Sequence, residues 1–389
     1  MTPPAPFPIH AYLIRDGSTP VLAVLPFWQS YGHLAIEITY ALDAARSAGA
    51  DLWLVQPPEG AANTALYNLK LGDISATKVY GPPGGYDWLK RLKSLGARPW
   101  SGCNPRTQLD VTNPGPYFFR KLLAGLEPLR FPDDLEETAL SELEGMGVER
   151  GRPWVAVHAR AEKPNSPLGT IRNIDIATYG LAIEWLQAQG YFIIRTGDPD
   201  SPPVGGPSVL DLAHHANRTA LSEVYAVRGA RMFLGCHSGP WAIAALCGVP
   251  SVISNVSDPF APYPLHGTSR YLLRPAAYRG GRQLSPVEQL EGGYLKAILD
   301  PGYWRMTENP YALMQGANTP EEILAAVQEV MTGIANPPNA NRGQVRWRQV
   351  AEQAAAHWSP MLPYVRKWAG SDGGWLGNGA LAACQAEGL

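Results

Sequence analysis

No stretch of this chain reaches the roughly eighteen consecutive apolar residues of a membrane span. Its opening, MTPPAPFPIHAYLIRDG, lacks the basic region and apolar core of a secretion signal. Surplus charge is missing too. Against 32 Lys and Arg stand 34 Asp and Glu, a net charge of −2, so bulk charge predicts no nucleic-acid partner. The four cysteines, Cys103, Cys236, Cys247 and Cys384, show neither CxxC nor Cys/His metal spacing, and a reducing cytoplasm is the expected compartment. No GxGxxG follows an opening strand, which sets dinucleotide dehydrogenases aside. Asp198-Pro-Asp200 has the spacing of a DxD but lies in a proline-rich loop, and His214-His215 has no third ligand at a usual spacing. No metal or cofactor is expected.

What the chain does have is length and apolar material. With 389 residues, 45% of them hydrophobic, it suits two α/β lobes rather than one core. Its 40 glycines and 37 prolines follow no period, which implies many turns. The first lobe opens with an apolar strand at 20–25, a helical pattern at 32–46 closed by Gly49, and a second strand at 51–55, a parallel β-loop-α-β unit. Further helices are expected near 85–95 and 116–125 and from Asp133. Glycines around residue 150 mark the joint between a first lobe, 1–150, and a second, 151–335.

The second lobe alternates strands at 154–158, 191–196, 231–235 and 249–253 with helices at 174–189, 222–228 and 241–247. Ser222 is the expected N-cap of the middle helix. This is a doubly wound sheet, and such sheets bind ligands beyond the carboxyl ends of their strands. A helix at 319–333 closes the lobe. The tail, 336–389, carries one more helix at 343–357 and is expected to pack back toward the first lobe.

Three features fall at strand ends. In His158-Ala-Arg160, residues two apart share a face, and a guanidinium there grips phosphate through paired hydrogen bonds. Gly235-Cys-His-Ser-Gly-Pro-Trp is a strand-turn-helix junction, where Ser238 and Gly239 open a helix whose free amides suit an anion. Ser238 could equally cap its own helix. Arg195-Thr-Gly-Asp198 offers an acceptor for ribose hydroxyls or a base edge, although a Gly-Asp pair more often serves its own turn.

The His158-Ala-Arg160 motif resembles the HxR motif of GDP-fucose-dependent fucosyltransferases. The longer pattern, Arg172-Asn-Ile-Asp175, Tyr179, 190–199 and 233–239, is similar to a bacterial GT-B glycosyltransferase family found with surface-polysaccharide genes. The resemblance implies two Rossmann-like lobes facing a cleft and an inverting, metal-independent transfer from a nucleotide diphosphate sugar, with a GDP-sugar favoured. It places His158, Arg160, Asn173, Arg195, Gly197, Asp198, His237, Ser238 and Gly239 at the donor. Where that family often has an acid directly after the HxR arginine, this chain has Ala161 and then Glu162. Candidates for the base or for transition-state contact are His33, Glu37 and Glu162, with Arg160. The acceptor is expected to be a glycan, a lipid-linked glycan or a small molecule. An ADP-heptose-type or UDP-sugar transferase, or a non-catalytic binding protein of the same fold, are the alternatives. Aromatic-basic stretches at 88–93, 346–348 and 364–368 invite a peripheral contact with a membrane, but solvated helix faces explain them more simply.

Overall fold

A computed structural model describes residues 10–14, 21–25, 49–56, 76–80, 98–99, 131, 133–161, 172–257, 259, 267–299, 310–313, 318–335, 342–358 and 375–376. Within the first lobe these form a five-stranded sheet in the order β4-β3-β2-β1-β5, from β1 (His10–Ile14), β2 (Val21–Leu25), β3 (Asp51–Gln56), β4 (Ala76–Tyr80) and β5 (Arg98–Pro99). Strands β2, β3 and β4 are parallel, as the β-loop-α-β reading requires. Gly49 adopts φ +60° before β3, the left-handed turn expected there. Strand β1, which the sequence did not announce, pairs antiparallel with both β2 and β5. The expected helices at 32–46, 85–95 and 116–125 lie outside the described residues.

The second sheet is wholly parallel and seven-stranded, in the order β14-β11-β10-β9-β6-β7-β8. Its strands are β6 (Trp154–Val157), β7 (Phe192–Arg195), β8 (Val209–Asp211), β9 (Met232–Cys236), β10 (Ser251–Val256), β11 (Arg270–Leu273) and β14 (Trp375–Leu376). β12 (Ala276–Tyr278) and β13 (Tyr311–Leu313) pair separately. Every residue of β6, β7, β9, β10 and β11 is buried, the pattern of a parallel sheet covered on both faces. Val155, Val157, Ile193, Met232, Leu234 and Val252 form one core with Ile183, Leu186, Ile323 and Val327.

Seven α-helices are described: α1 (Asp133–Gly145), α2 (Gly180–Ala188), α3 (Ala220–Arg228), α4 (Gly239–Leu246), α5 (Gly292–Leu299), α6 (Pro320–Ala335) and α7 (Arg342–Trp358). Residues expected as one helix at 174–189 divide into a 3-10 turn, Ile176–Tyr179, capped by Asp175, and then α2. Gly190, at φ +89°, ends that segment. Thr219, not Ser222, is the N-cap of α3. Ser222 sits at the third helical position and completes a capping box with it.

Helix α1, expected in the first lobe, rests on α3, with Phe131 against Tyr225 at 5.6 Å and the Tyr225 hydroxyl donating to Glu136 at 3.1 Å. Helix α1 thus packs on an element that follows residue 151. The described part of the tail packs on the second sheet. Trp347 of α7 is fully buried and donates to the Tyr271 hydroxyl at 2.6 Å, and β14 pairs with β11. Burial of Trp347 also removes the aromatic residue from the stretch at 346–348 that had suggested a membrane contact. No described helix is long and apolar enough to cross a membrane.

Candidate functional site

Strand order fixes where a ligand crevice can open. From β6 the chain moves outward to β7 and β8, then returns to the other side of β6 to lay down β9, β10, β11 and finally β14. The adjacent strands β6 and β9 therefore form the switch point, and the crevice beyond their carboxyl ends is where doubly wound sheets bind ligands. The segments that follow those two strands are His158-Ala-Arg160 and His237-Ser-Gly239. Two separately expected features thus meet at one place.

His158 knits this edge together. Its backbone N–H donates to the Leu234 carbonyl of β9 at 2.9 Å. Its Nδ1 lies 3.2 Å from the Thr196 carbonyl beyond β7, so Nδ1 carries the proton. Burial pushes the imidazole down to about 4 against the pull of that carbonyl, with Arg195 and Arg160 adding to the depression, so the ring is neutral at neutral pH. A Cβ on Gly197 would stand 2.8 Å from His158 Nδ1, and Gly197 itself takes φ +129°. Glycine is needed there because the ring occupies the space of a side chain. His158 and Gly197 thus position the edge.

Beyond His158, Arg160 is half-buried, and its carbonyl accepts from the Ile174 N–H at 3.1 Å. That bond draws residues 172–174 over the carboxyl edge of the sheet. Arg274, at the end of β11, donates from its guanidinium to the Asn173 carbonyl at 3.0 Å and anchors the same segment from the other side. Arg172 rides on this segment, with its Nε enclosed and without a hydrogen-bond partner. Burial and the neighbouring Arg160 cation hold Arg172 below the ordinary guanidinium value, at about 10. Asn173 Oδ1 and His237 Nδ1 are likewise enclosed without partners. Burial, then Arg172 and Arg160, lower the His237 imidazole to about 3, so it too is neutral.

Ser238 has the backbone of an N-cap but does not act as one. Its hydroxyl donates to the Cys236 carbonyl at 3.2 Å and makes no bond to the amides of α4. The start of α4 is therefore not closed by its own side chain, and its amides and positive dipole end remain available to an anion at Gly239.

Other expected residues take different places. Arg195 is fully buried, and its guanidinium donates to Asp211 at 2.9 Å, its cross-strand neighbour in register on β8. This contact ties β7 to β8. Asp198 mostly serves its own turn: its Oδ1 accepts from the Asp200 N–H at 3.2 Å and its carbonyl from the Ser201 hydroxyl at 2.9 Å. Glu223, in the first turn of α3, lies near it. Burial raises the Glu223 carboxyl, Arg218 opposes that rise and Asp198 reinforces it. His214, half of the tandem histidine, bonds Asp211 and the Pro199 carbonyl at 3.0 and 2.8 Å. His33, Glu37 and Glu162 lie outside the described residues.

Arg172, Arg274 and Glu223 were not singled out in the sequence as site residues. Only Arg172 carried a signal, as part of the Arg172-Asn-Ile-Asp175 pattern. The resulting edge is polarised, with guanidiniums around the end of β9 and carboxylates beyond β7.

No protein-family model matches the chain, and no curated protein does. Among solved structures, it is similar to a family 9 glycosyl transferase from Veillonella parvula, with 9% identity, a TM-score of 0.38 and coverage of 60% of this chain and 79% of that one. It is similar to the iron-containing dodecameric glycosyltransferase TibC from enterotoxigenic E. coli, with 15% identity, a TM-score of 0.41 and coverage of 83% and 77%. The fucosyltransferase NodZ, soaked with GDP-fucose, gives 12% identity, a TM-score of 0.30 and coverage of 58% and 90%.

Proposed function

We propose that the chain is a glycosyltransferase of the GT-B kind that moves a sugar from a nucleotide diphosphate donor to an acceptor hydroxyl. The observation that carries this reading is the meeting, at the β6/β9 switch point, of Arg160 with an α4 start that its own N-cap side chain leaves open. A diphosphate suits that place, because a guanidinium binds two phosphate oxygens at once and helix amides bind a third. Asp198 and Glu223, on the β7 side, suit the hydroxyls of the nucleoside. The donor then lies across the edge with its nucleoside toward β7.

In this reading the acceptor hydroxyl attacks the anomeric carbon with inversion, a general base takes its proton, and the guanidiniums and the helix dipole stabilise the departing diphosphate. Those cations do what a divalent metal does elsewhere, so the transfer is metal-independent. A GDP-sugar is the favoured donor on the His158-Ala-Arg160 pattern, and His33, Glu37 and Glu162 are the candidates for the base. The acceptor is a glycan, a lipid-linked glycan or a small molecule, met in the cytoplasm or at the inner face of a membrane.

Thermal-shift measurements with GDP, UDP, ADP and CMP test the donor, since a ligand of the folded state raises Tm by mass action. GDP is expected to give the largest rise. A larger rise with ADP favours a heptosyl-type donor, and no rise with any of the four refutes the nucleotide site. Transfer or donor hydrolysis with the matching sugar nucleotide separates an enzyme from a binding protein of the same fold.

A further inference from the structure

We propose that Arg172 is a second phosphate-binding cation of this site, locked in place by Arg274, and that it binds the terminal phosphate of the departing diphosphate. The proposal rests on the nucleotide-sugar reading above and adds a residue and a division of labour to it. Three observations lead there.

The first is the path of the chain. Residues 172–174 are tied to Arg160 through the Ile174 N–H and to the end of β11 through the Arg274 guanidinium. Because β9 and β10 lie between β6 and β11, the segment spans the carboxyl edge across the switch point. Gln289 donates to the Arg274 carbonyl at 3.3 Å and fixes that end in turn. A bridge held at both ends presents Arg172 at a defined position with little ordering entropy left to lose on binding.

The second observation concerns partners. Other enclosed or half-enclosed arginines have partners within the fold: Arg195 meets Asp211 at 2.9 Å, Arg270 meets Glu329 at 2.7 Å, Arg228 meets Glu136 at 3.5 Å, and Arg274 donates to the Asn173 carbonyl at 3.0 Å. The Arg172 Nε is enclosed with no hydrogen-bond partner, as are those of Arg195 and Arg228, but unlike theirs its guanidinium meets no carboxylate among the described residues. A buried charge without a partner is among the least favourable features a fold can hold, and a structural arginine would be paired.

The third is charge matching. When the bond between the anomeric carbon and the terminal phosphate oxygen breaks, its electron pair stays on that oxygen while the acceptor oxygen bonds the carbon. The proton of the acceptor passes to the base. The diphosphate therefore gains one negative charge on its terminal phosphate alone. Arg160 and the α4 start suit the charge present before transfer, and a second guanidinium suits the charge that appears with it.

Isothermal titration of the full chain with GDP, UDP and ADP and with GMP, UMP and AMP tests this, comparing the wild type with Arg172→Gln, Arg172→Lys and Arg274→Gln. Arg172→Gln is expected to weaken the preferred diphosphate about 10- to 100-fold, the value of a charge-assisted contact, and its monophosphate less than about 3-fold. Arg172→Lys is expected to restore part of the loss. Arg274→Gln is expected to reduce diphosphate selectivity with Arg172 present. If the wild type binds a diphosphate and Arg172→Gln binds it equally, or loses diphosphate and monophosphate alike, the assignment of Arg172 falls and the nucleotide-sugar reading stands. If the wild type binds none of the six nucleotides, the reading itself falls and takes the assignment with it. Thermal unfolding of each variant separates lost binding from lost structure.

Discussion

Replacing Arg172 by methionine should stabilise the unliganded protein while removing its affinity for a diphosphate. Arg172 is largely buried, its Nε has no partner, and burial together with Arg160 holds the guanidinium at about 10. At about 1.4 kcal/mol for each tenfold change, keeping that cation ionised in the folded state costs on the order of 3 kcal/mol at neutral pH. Methionine retains the apolar stem and removes the cation, so most of that cost is recovered. For a lobe of this size, at about 2–4 °C for each kcal/mol, the expected rise in Tm is about 6–12 °C. The native value lies below the unfolded one, so the penalty is present at neutral pH and fades as pH climbs through about 10. The stabilisation by methionine should therefore begin to shrink above about pH 10 and keep shrinking toward the ordinary guanidinium value. Diphosphate affinity of the wild type should fall over the same window, because the binding-competent cation is being lost. Scanning calorimetry across pH and titration with GDP measure the two effects. A methionine variant that is less stable than wild type at pH 7 would refute the reasoning, because it would show that the guanidinium is paired within the fold.

Four other outcomes follow from the geometry. Arg160→Ala should lower kcat/KM by at least about 100-fold, from the loss of charge-assisted phosphate contacts at the switch point, and near-normal turnover would remove Arg160 from the site. Gly197→Ala should destabilise by about 2–4 kcal/mol in urea unfolding, since the backbone is at φ +129° and the new Cβ would lie 2.8 Å from His158 Nδ1. Asp211→Ala should cost about 3–5 kcal/mol by stranding the buried Arg195, while Arg195→Met with Asp211→Leu should cost much less. Burial pushes the Asp211 carboxyl up, but the Val204 amide, His214 and Arg195 bring it below its ordinary value; its contribution is complete above about pH 4 and is lost as pH falls through the lower native value. Finally, His158 and His237 stay neutral down to about 4 and about 3, so neither should contribute an inflection to activity between about pH 5 and 9. An inflection in that range that disappears on replacing either one would overturn the assignment.

Much of the second sheet was legible because its strands are short apolar runs between glycine and proline turns, and both faces are covered. Their order was not written in those runs, yet the features expected at strand ends meet because β6 and β9 are neighbours. What was not legible shares a cause, the return of distant segments. Arg195 reads as a rim residue from its place at the end of Phe192–Arg195, but its partner, Asp211, lies on the next strand in register. The tail reads as a separate helix, and nothing local says that Trp347 fills a space beside Tyr271. Arg274 acquires meaning only when Asn173 crosses the sheet to meet it. Strand β14 has two described residues, Trp375–Leu376, and makes a strand only because β11 offers an unpaired edge.

The kinds of unpartnered atom at the carboxyl edge narrow the chemistry of the ligand further than charge alone. The enclosed atoms without hydrogen-bond partners near the ends of β6, β9 and β11 include Arg172 Nε, Asn173 Oδ1, His237 Nδ1 and Gln289 Oε1. Each unsatisfied group costs about 1–3 kcal/mol in an otherwise closed interior. Arg172 Nε can only donate, so it calls for an acceptor such as a phosphate oxygen. Asn173 Oδ1 and Gln289 Oε1 can only accept, so they call for hydroxyl or amine donors. A bare polyanion supplies acceptors and leaves both amide oxygens unsatisfied. A molecule with hydroxyls beside a diphosphate satisfies both kinds at once, and a sugar nucleotide is such a molecule. On this argument Asn173→Leu and Gln289→Leu should weaken a sugar nucleotide more than the corresponding free diphosphate, because what they remove is the contact to the sugar hydroxyls. Titration of each variant with GDP and with a GDP-sugar measures the difference. Equal losses for the two ligands would place the amide oxygens outside the sugar site.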